Sequence, residues 1–250
     1  MGVTAGVQKG VTVPLSAKQQ QFNAAMELYT GKSRYRIFSG LVAAVNVSLQ
    51  VYFLLLILPR EIGIARQLLS LGMAYLIADF INGLVHMYMD NNDRYESLAG
   101  PLIAGFHLHH KTPQYRKRNL IFVYVVESGS KIWLAVYLLL LLPVSGMGGC
   151  GPFLLHVLVY IGIFSSLAEV SHYLCHSSTS VVAGFLARCG LLLSKRHHAQ
   201  HHLSDNSNYA FLNGISDPLI NLIAAAWYSG YKQNTDLHFA GYSAGDTDSR

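Results

Sequence analysis

The sequence predicts an all-α integral membrane protein, with about four transmembrane helices and several short interfacial ones. Three observations carry that expectation. The chain is 52% hydrophobic but only 12% charged, about half the charge of an average soluble domain. Its apolar residues lie in long blocks rather than on amphipathic faces. Nearly all of the twelve histidines gather in four groups, in the polar segments between the blocks or at the blocks' ends.

Residues 1–35 read as an N-terminal cytosolic segment, with a short surface helix over 16–35 and no apolar region of the kind a cleaved secretory signal needs. Ile37 to Leu58 is the first span, almost free of charge and stopped by Pro59. After a turn at Glu61–Arg66, Leu68 to Val85 is the second span. It gains Asp79, Asn82 and His86 towards its end. Residues 90–120 are polar and basic, and 121–130 are interfacial in character. Lys131 to Leu142, with the run WLAVYLLLLL, is the third span, ended by Pro143 and a glycine-rich turn. Pro152 to about Leu174 is the fourth, and it gains Glu169, His172 and His176. Val181 to Leu193 is apolar but well short of the ~20 residues that cross a bilayer, so an interfacial or re-entrant helix is expected. Residues 219–228 form another short apolar stretch. The membrane domain is therefore expected over 36–228, with 229–250 a flexible C-terminal tail.

Charge sets the expected orientation. Lys32, Arg34 and Arg36 precede the first span, Arg116, Lys117 and Arg118 precede the third, and Lys195 and Arg196 follow the fourth. With four spans all three clusters fall on one side. The positive-inside rule then puts both termini and every His cluster in the cytosol, in a bacterial inner membrane or the endoplasmic reticulum. The net charge of +5 fits this reading better than nucleic-acid binding, because the basic residues flank apolar blocks rather than lining a face with aromatic partners. Cys150, Cys175 and Cys189 form no CxxC pair and read as small buried hydrophobes.

Histidines form four groups: His86 with Asp90; His107, His109 and His110; His172 and His176; and His197, His198, His201 and His202. Residues four apart share one helix face, so His86 and Asp90 can aim at one point, as can His172 and His176. The pairs His198/His202 and His197/His201 have the same spacing. Adjacent histidines point about 100° apart on a helix and can serve two metals. Polar groups gathered at a membrane edge are costly without function, so the expected ligands are His86, Asp90, His109, His110, His172, His176, His197, His198, His201 and His202. An imidazole ligand needs an acceptor for its other ring nitrogen. Asp79, Asn82, His107, Glu169 and Asp217 are the expected supporting residues. His156 and His238, outside these groups, read as ordinary interfacial polar residues. One zinc takes about four ligands, and no oxygen-rich cage for calcium or magnesium is present. Two irons that activate O2 suit this many imidazoles better.

The wording of the boxes, ADFINGLVHMYMD, GPLIAGFHLHHKTP, EVSHYLCH and KRHHAQHHLSDNSNYAFLNG, resembles the Kua, or plasmanylethanolamine desaturase, family over roughly residues 68–225. That resemblance implies a phospholipid-bound chain as substrate, desaturated with O2 and two electrons at a di-iron centre. It matches His86, Asp90, His109, His110, His172, His176, His197, His198, His201 and His202 to the family's boxes, and Tyr209 and Gly214 to the residues beyond them. Met87, His107 and the pair Asp205–Asn206 depart from the family's usual Trp, Arg or Gln, and Pro, which leaves headgroup and chain specificity open. The expected substrate is a 1-alkyl ether phospholipid converted to a vinyl ether. A phospholipid acyl chain is the alternative, and hydroxylation a third outcome. Lys111, Arg116, Lys117 and Arg118 are candidate phosphate contacts. The sequence holds no dinucleotide fingerprint or haem motif, so electrons are expected from an external donor of the cytochrome b5 or ferredoxin type. A His-rich metal transporter is the competing reading of another class, although transporters place ligands near the bilayer midplane.

Overall fold

The computed structural model describes residues 16–31, 33–111, 118–146 and 150–242. Among these residues the protein is built from helices with no strand. Three helices are long and apolar enough to cross a bilayer: α2 (Ser33–Ile57), α3 (Ile64–Asp90) and α7 (Pro152–Ser177). They match the first, second and fourth expected spans, each extended by its polar end.

The third expected span differs. α6 (Ile132–Gly146) has 15 residues, and it meets α5 (Leu120–Glu127) and the 3-10 turn Ser128–Ser130 at a bend of 86°. A small, polar Ser-Gly-Ser sequence makes the break. At Gly129 a Cβ would lie 2.5 Å from the Ser39 carbonyl oxygen, so only glycine lets α2 approach this closely. Buried backbone groups freed at such a break need partners. The Asn46 amide supplies them, donating to Ser128 O at 2.8 Å and Lys131 O at 3.2 Å.

Helices α3 and α7 pack side by side with their histidine-bearing C-terminal turns at the same end. Small residues (Ala74, Ala78, Ser165, Ala168) are fully buried there and let the helices come close. Phe53, Ile57, Leu134, Leu138 and Leu155 form a second apolar layer with α2 and α6. On the outside, Leu55, Leu68 and Leu140 are each more than half exposed, as expected where lipid replaces water. Arg34, Arg36, Lys195 and Arg196 lie at the histidine end, while Lys32 lies outside the described residues.

The remaining helices cap that end. α1 (Ala17–Gly31) buries Phe22, Ala25 and Met26 in one cluster with Tyr95, Ile103 and Ala104 from the stretch that includes α4 (Gly100–Lys111). α8 (Val181–Arg188) buries no residue and takes up the first part of the short apolar stretch, which then turns at Gly190, φ 70°. α9 (Lys195–Leu203) starts at Ser194, whose side chain accepts from His197 N at 3.1 Å. α10 (Asp217–Trp227) buries Ile220 and Ala224. Residues 229–242, expected as the start of a flexible tail, pack against the histidine end. Asp205 Oδ1 accepts from both Tyr231 N and Lys232 N at 2.8 Å, and the Tyr231 side chain is fully buried. Residues 243–250 lie outside the described residues.

Candidate metal centre

The last turns of α3, α4 and α9 bring His86, Asp90, His110 and His201 together, with one ligand atom from each within 4.8 Å of the others. Their hydrogen bonds fix which ring nitrogen faces inward. His86 Nδ1 donates to Tyr209 O at 2.7 Å, His201 Nδ1 to Ser207 O at 3.0 Å, and His110 Nδ1 to Asp236 Oδ1 at 2.8 Å. Each Nε2 then carries a lone pair, and all three point at Asp90: His86 and His201 at 3.3 Å from Oδ2, His110 at 3.5 Å from Oδ1. Both Asp90 oxygens are buried with no hydrogen-bond partner. Lone pairs facing a buried carboxylate repel unless a cation lies between them. Three imidazoles and a carboxylate so arranged can hold a metal ion.

A second group adjoins the first. His109, His172, His176 and His198 also place one ligand atom each within 4.8 Å of the others. The Nε2 atoms lie 3.0 Å apart for His109 and His176, 2.9 Å for His172 and His198, and 3.2 Å for His172 and His176. His202 sits between the groups. Its Nε2 is 3.1 Å from His198 Nε2, and its ring centre is 5.2 Å from that of His110. The groups touch through His198 and His201, whose ring centres are 5.4 Å apart.

Burial sets the charge state. The imidazoles of His109, His110 and His198 are held well below the ordinary histidine range, first by desolvation and then by repulsion from neighbouring imidazoles. The same causes lower His202 to about 2. Desolvation lowers His201 to about 4, partly opposed by its bond to Ser207. All are therefore neutral at pH 7, the form that binds a metal.

The stretch that carries both groups matches a known family. The lipid desaturase domain family matches residues 75–227, which contain every residue of both groups. The chain belongs to the lipid desaturase family. This desaturase is 28% identical over 197 residues, 77% of its own length and 68% of the relative's, to a plasmanylethanolamine desaturase of Myxococcus xanthus. No solved structure matches it.

Several expected site residues take other places in the desaturase. His197 is in neither group. Its Nε2 is 2.6 Å from Asp217 Oδ2, and Asp217 Oδ1 accepts from Ala210 N at 2.8 Å. This pair ties α9 to the first residue of α10, and through Ala210 to the loop before it. Asp79 does not back an imidazole. Its carboxylate accepts from Asn213 N, Gly214 N, Ser216 N and Ser216 Oγ at 2.6–3.3 Å, and so holds that same loop. Asn82 accepts from Lys131 Nζ instead of supporting His86. Glu169 pairs with Lys131 at 3.0 Å. His107 donates to Met89 O at 2.9 Å and accepts from Tyr95 OH at 2.8 Å, one turn from the ligand-like positions. Burial lowers it to about 4. His238, read as an interfacial residue, is buried on the same Tyr95 hydroxyl at 2.9 Å, and His156 is buried on Pro152 O at 2.7 Å. Of the candidate phosphate contacts, Lys111 donates to Phe239 O and Tyr242 O. Arg118 reaches Glu127 at 3.8 Å and the Phe122 ring. Arg116 and Lys117 lie outside the described residues.

A half-open cleft of about 240 Å³ lies beside the centre. Leu102, Phe106, Leu108 and Phe211 give it apolar walls, His86, His109 and His172 line the end at the metal centre, and Glu127 and Glu169 add carboxylates. Sequence reasoning missed Lys131 and Asp236. A lysine at the start of a very apolar run was a usable signal for the first. A lone aspartate in a polar stretch gave none for the second.

Proposed function

We propose that the protein is an O2-dependent, di-iron membrane desaturase that converts a 1-alkyl ether phospholipid to its vinyl ether. His86, Asp90, His110 and His201 would hold one iron, and His109, His172, His176 and His198 the other, with His202 at their junction. The bound irons would supply the oxidising power to remove hydrogen from an unactivated C–H bond. In the overall reaction the chain loses two hydrogens, O2 takes them up with two electrons and two protons, and two waters leave.

The protein's own residues have three tasks. The Nδ1 bonds of His86, His110 and His201 hold the lone pairs inward. The apolar cleft walls orient a lipid chain past the histidines and exclude water. The basic residues at the histidine end favour the cytosolic side, where a cytochrome b5 or ferredoxin type donor would deliver electrons. The observation that carries this reading is the unpartnered Asp90 carboxylate facing three inward lone pairs.

The substrate choice is supported by the Myxococcus relative's named activity. An acyl-chain desaturase is the second reading, because the cleft walls are apolar and would accept either kind of chain. A metal transporter is disfavoured, since the donors gather at helix ends instead of mid-bilayer. The test is lipid mass spectrometry of cells expressing the chain or its His201→Ala variant, with alkyl ether lipid supplied. New acid-labile vinyl ether species should appear only with the unsubstituted chain. Their absence, alongside new unsaturated acyl species, would replace the first reading with the second.

A further inference from the structure

We propose that Asp236 is a positioning residue for one of the two metal positions, acting through His110, and that residues 229–242 exist to deliver it. The inference rests on the two-metal reading above and adds to it a residue beyond the matched family domain, which ends at 227.

Asp236 lies in the 3-10 turn Thr235–Leu237, 126 residues from His110 in sequence. Its Oδ1 accepts from His110 Nδ1 at 2.8 Å, and both side chains are at least nine-tenths buried. A carboxylate behind an imidazole fixes the proton on the outer nitrogen, turns the ring and makes the inner nitrogen a stronger donor to a metal. His86 and His201 are backed by backbone carbonyls, so Asp236 brings a charged partner to this group. Its other oxygen accepts from Lys232 Nζ at 3.0 Å.

The rest of the segment grips the same group from behind. Thr235 Oγ1 donates to Asp90 O at 2.6 Å, and Tyr231 OH donates to His201 O. Three of the four members are thus contacted through ring or backbone. The segment turns in at Gly230, φ 109°, where a Cβ would lie 2.5 Å from Asp205 Cγ. α1 closes over it, with Phe22 against the Phe239 and Tyr242 rings and Gln19 Nε2 donating to Leu237 O at 3.2 Å.

The test uses the full chain purified in detergent and loaded with Fe2+ under anaerobic conditions. Iron per chain is measured against graded chelator for the unsubstituted protein and for Asp236→Ala, Asp236→Asn and Asp236→Glu. Apo-protein melting is followed alongside, to separate metal retention from folding. In the Ala and Asn variants one of the two irons should leave at about 10–100-fold lower chelator concentration, while the Glu variant keeps most of its affinity. Should Asp236→Ala fail to fold, the isosteric Asp236→Asn decides in its place. Retention of both irons as in the unsubstituted chain, or equal weakening of both, overturns the inference and leaves the two-metal reading standing. An unsubstituted chain that takes up no iron overturns both.

Discussion

Lys131 and Glu169 form a largely buried ion pair, Nζ to Oε1 3.0 Å, between the break before α6 and the C-terminal half of α7. Lys131 Nζ also donates to Ser165 O at 2.7 Å and to the Asn82 side chain. It stands over the Phe211 ring at 4.9 Å. Three membrane helices are pinned through one ammonium group, beside a cleft that Glu169 lines. Removing one partner of such a pair leaves an uncompensated buried charge. Lys131→Met and Glu169→Leu should each destabilise the protein by about 3–5 kcal/mol, and the double variant by less than either. Thermal unfolding of the four proteins in one detergent checks this. Additive losses would show that the two residues act independently.

His197 shares the spacing of the grouped histidines but not their contacts. It lies four residues before His201, as a shared ligand face would require, yet its ring points to Asp217 at 2.6 Å. His197→Ala should leave iron content unchanged and cost about 1–3 kcal/mol, the penalty of stranding a buried acceptor. His201→Ala should lose iron. Metal analysis and melting of the two purified variants separate these outcomes. Loss of iron from His197→Ala would return His197 to the ligand set.

Helical spacing made much of the centre readable. The pairs His86/Asp90, His172/His176 and His198/His202 are four apart on helices that do form, and local periodicity fixes their faces. What escaped reading depends on contacts distant in sequence. The bend before α6 follows from α2 pressing on Gly129, and the tail folds in because Asp205 and His110 wait for it. Asp79 and Glu169 read from the sequence as acceptors for imidazole N–H groups, but their partners lie elsewhere. Asp79 is met by three backbone amides of the 213–216 loop and Glu169 by a lysine from another span. No local pattern encodes such meetings.

That loop makes a third prediction. Gly214 has φ 87°, and a Cβ there would lie 2.6 Å from His197 Nε2 and 3.2 Å from Asp217 Oδ2. Gly214→Ala therefore strains the backbone and pushes the His197–Asp217 pair apart together. Left-handed backbone alone costs about 1–3 kcal/mol for such a residue. The combined Gly214→Ala, His197→Ala variant removes the clash, and it should melt higher than the sum of the two single losses predicts. Strict additivity in unfolding measurements would mean that the glycine serves backbone conformation alone.

Acid should act on the centre in a defined direction. His109, His110, His198, His201 and His202 all sit below the ordinary histidine value of 6.5, first through desolvation. Between that value and the lowered ones, the unfolded chain binds protons that the folded chain refuses. Their unfavourable effect is absent above about pH 6.5 and grows as pH falls. Each such group steepens the loss by about 1.4 kcal/mol per pH unit while it titrates in the unfolded chain alone. Burial raises Asp217 and Asp236. The folded protein holds those protons more tightly, which offsets part of the loss, but the lowered imidazoles, His107 among them, outnumber these two carboxylates. The metal-free protein should therefore melt at progressively lower temperature from pH 7 to pH 5. Bound metal should hold the imidazoles neutral and flatten that decline until protons displace it. Melting curves of chelator-treated and Fe2+-loaded protein across this range measure both slopes, and a metal-free protein that melts higher at pH 5 than at pH 7 would contradict the burial of these rings.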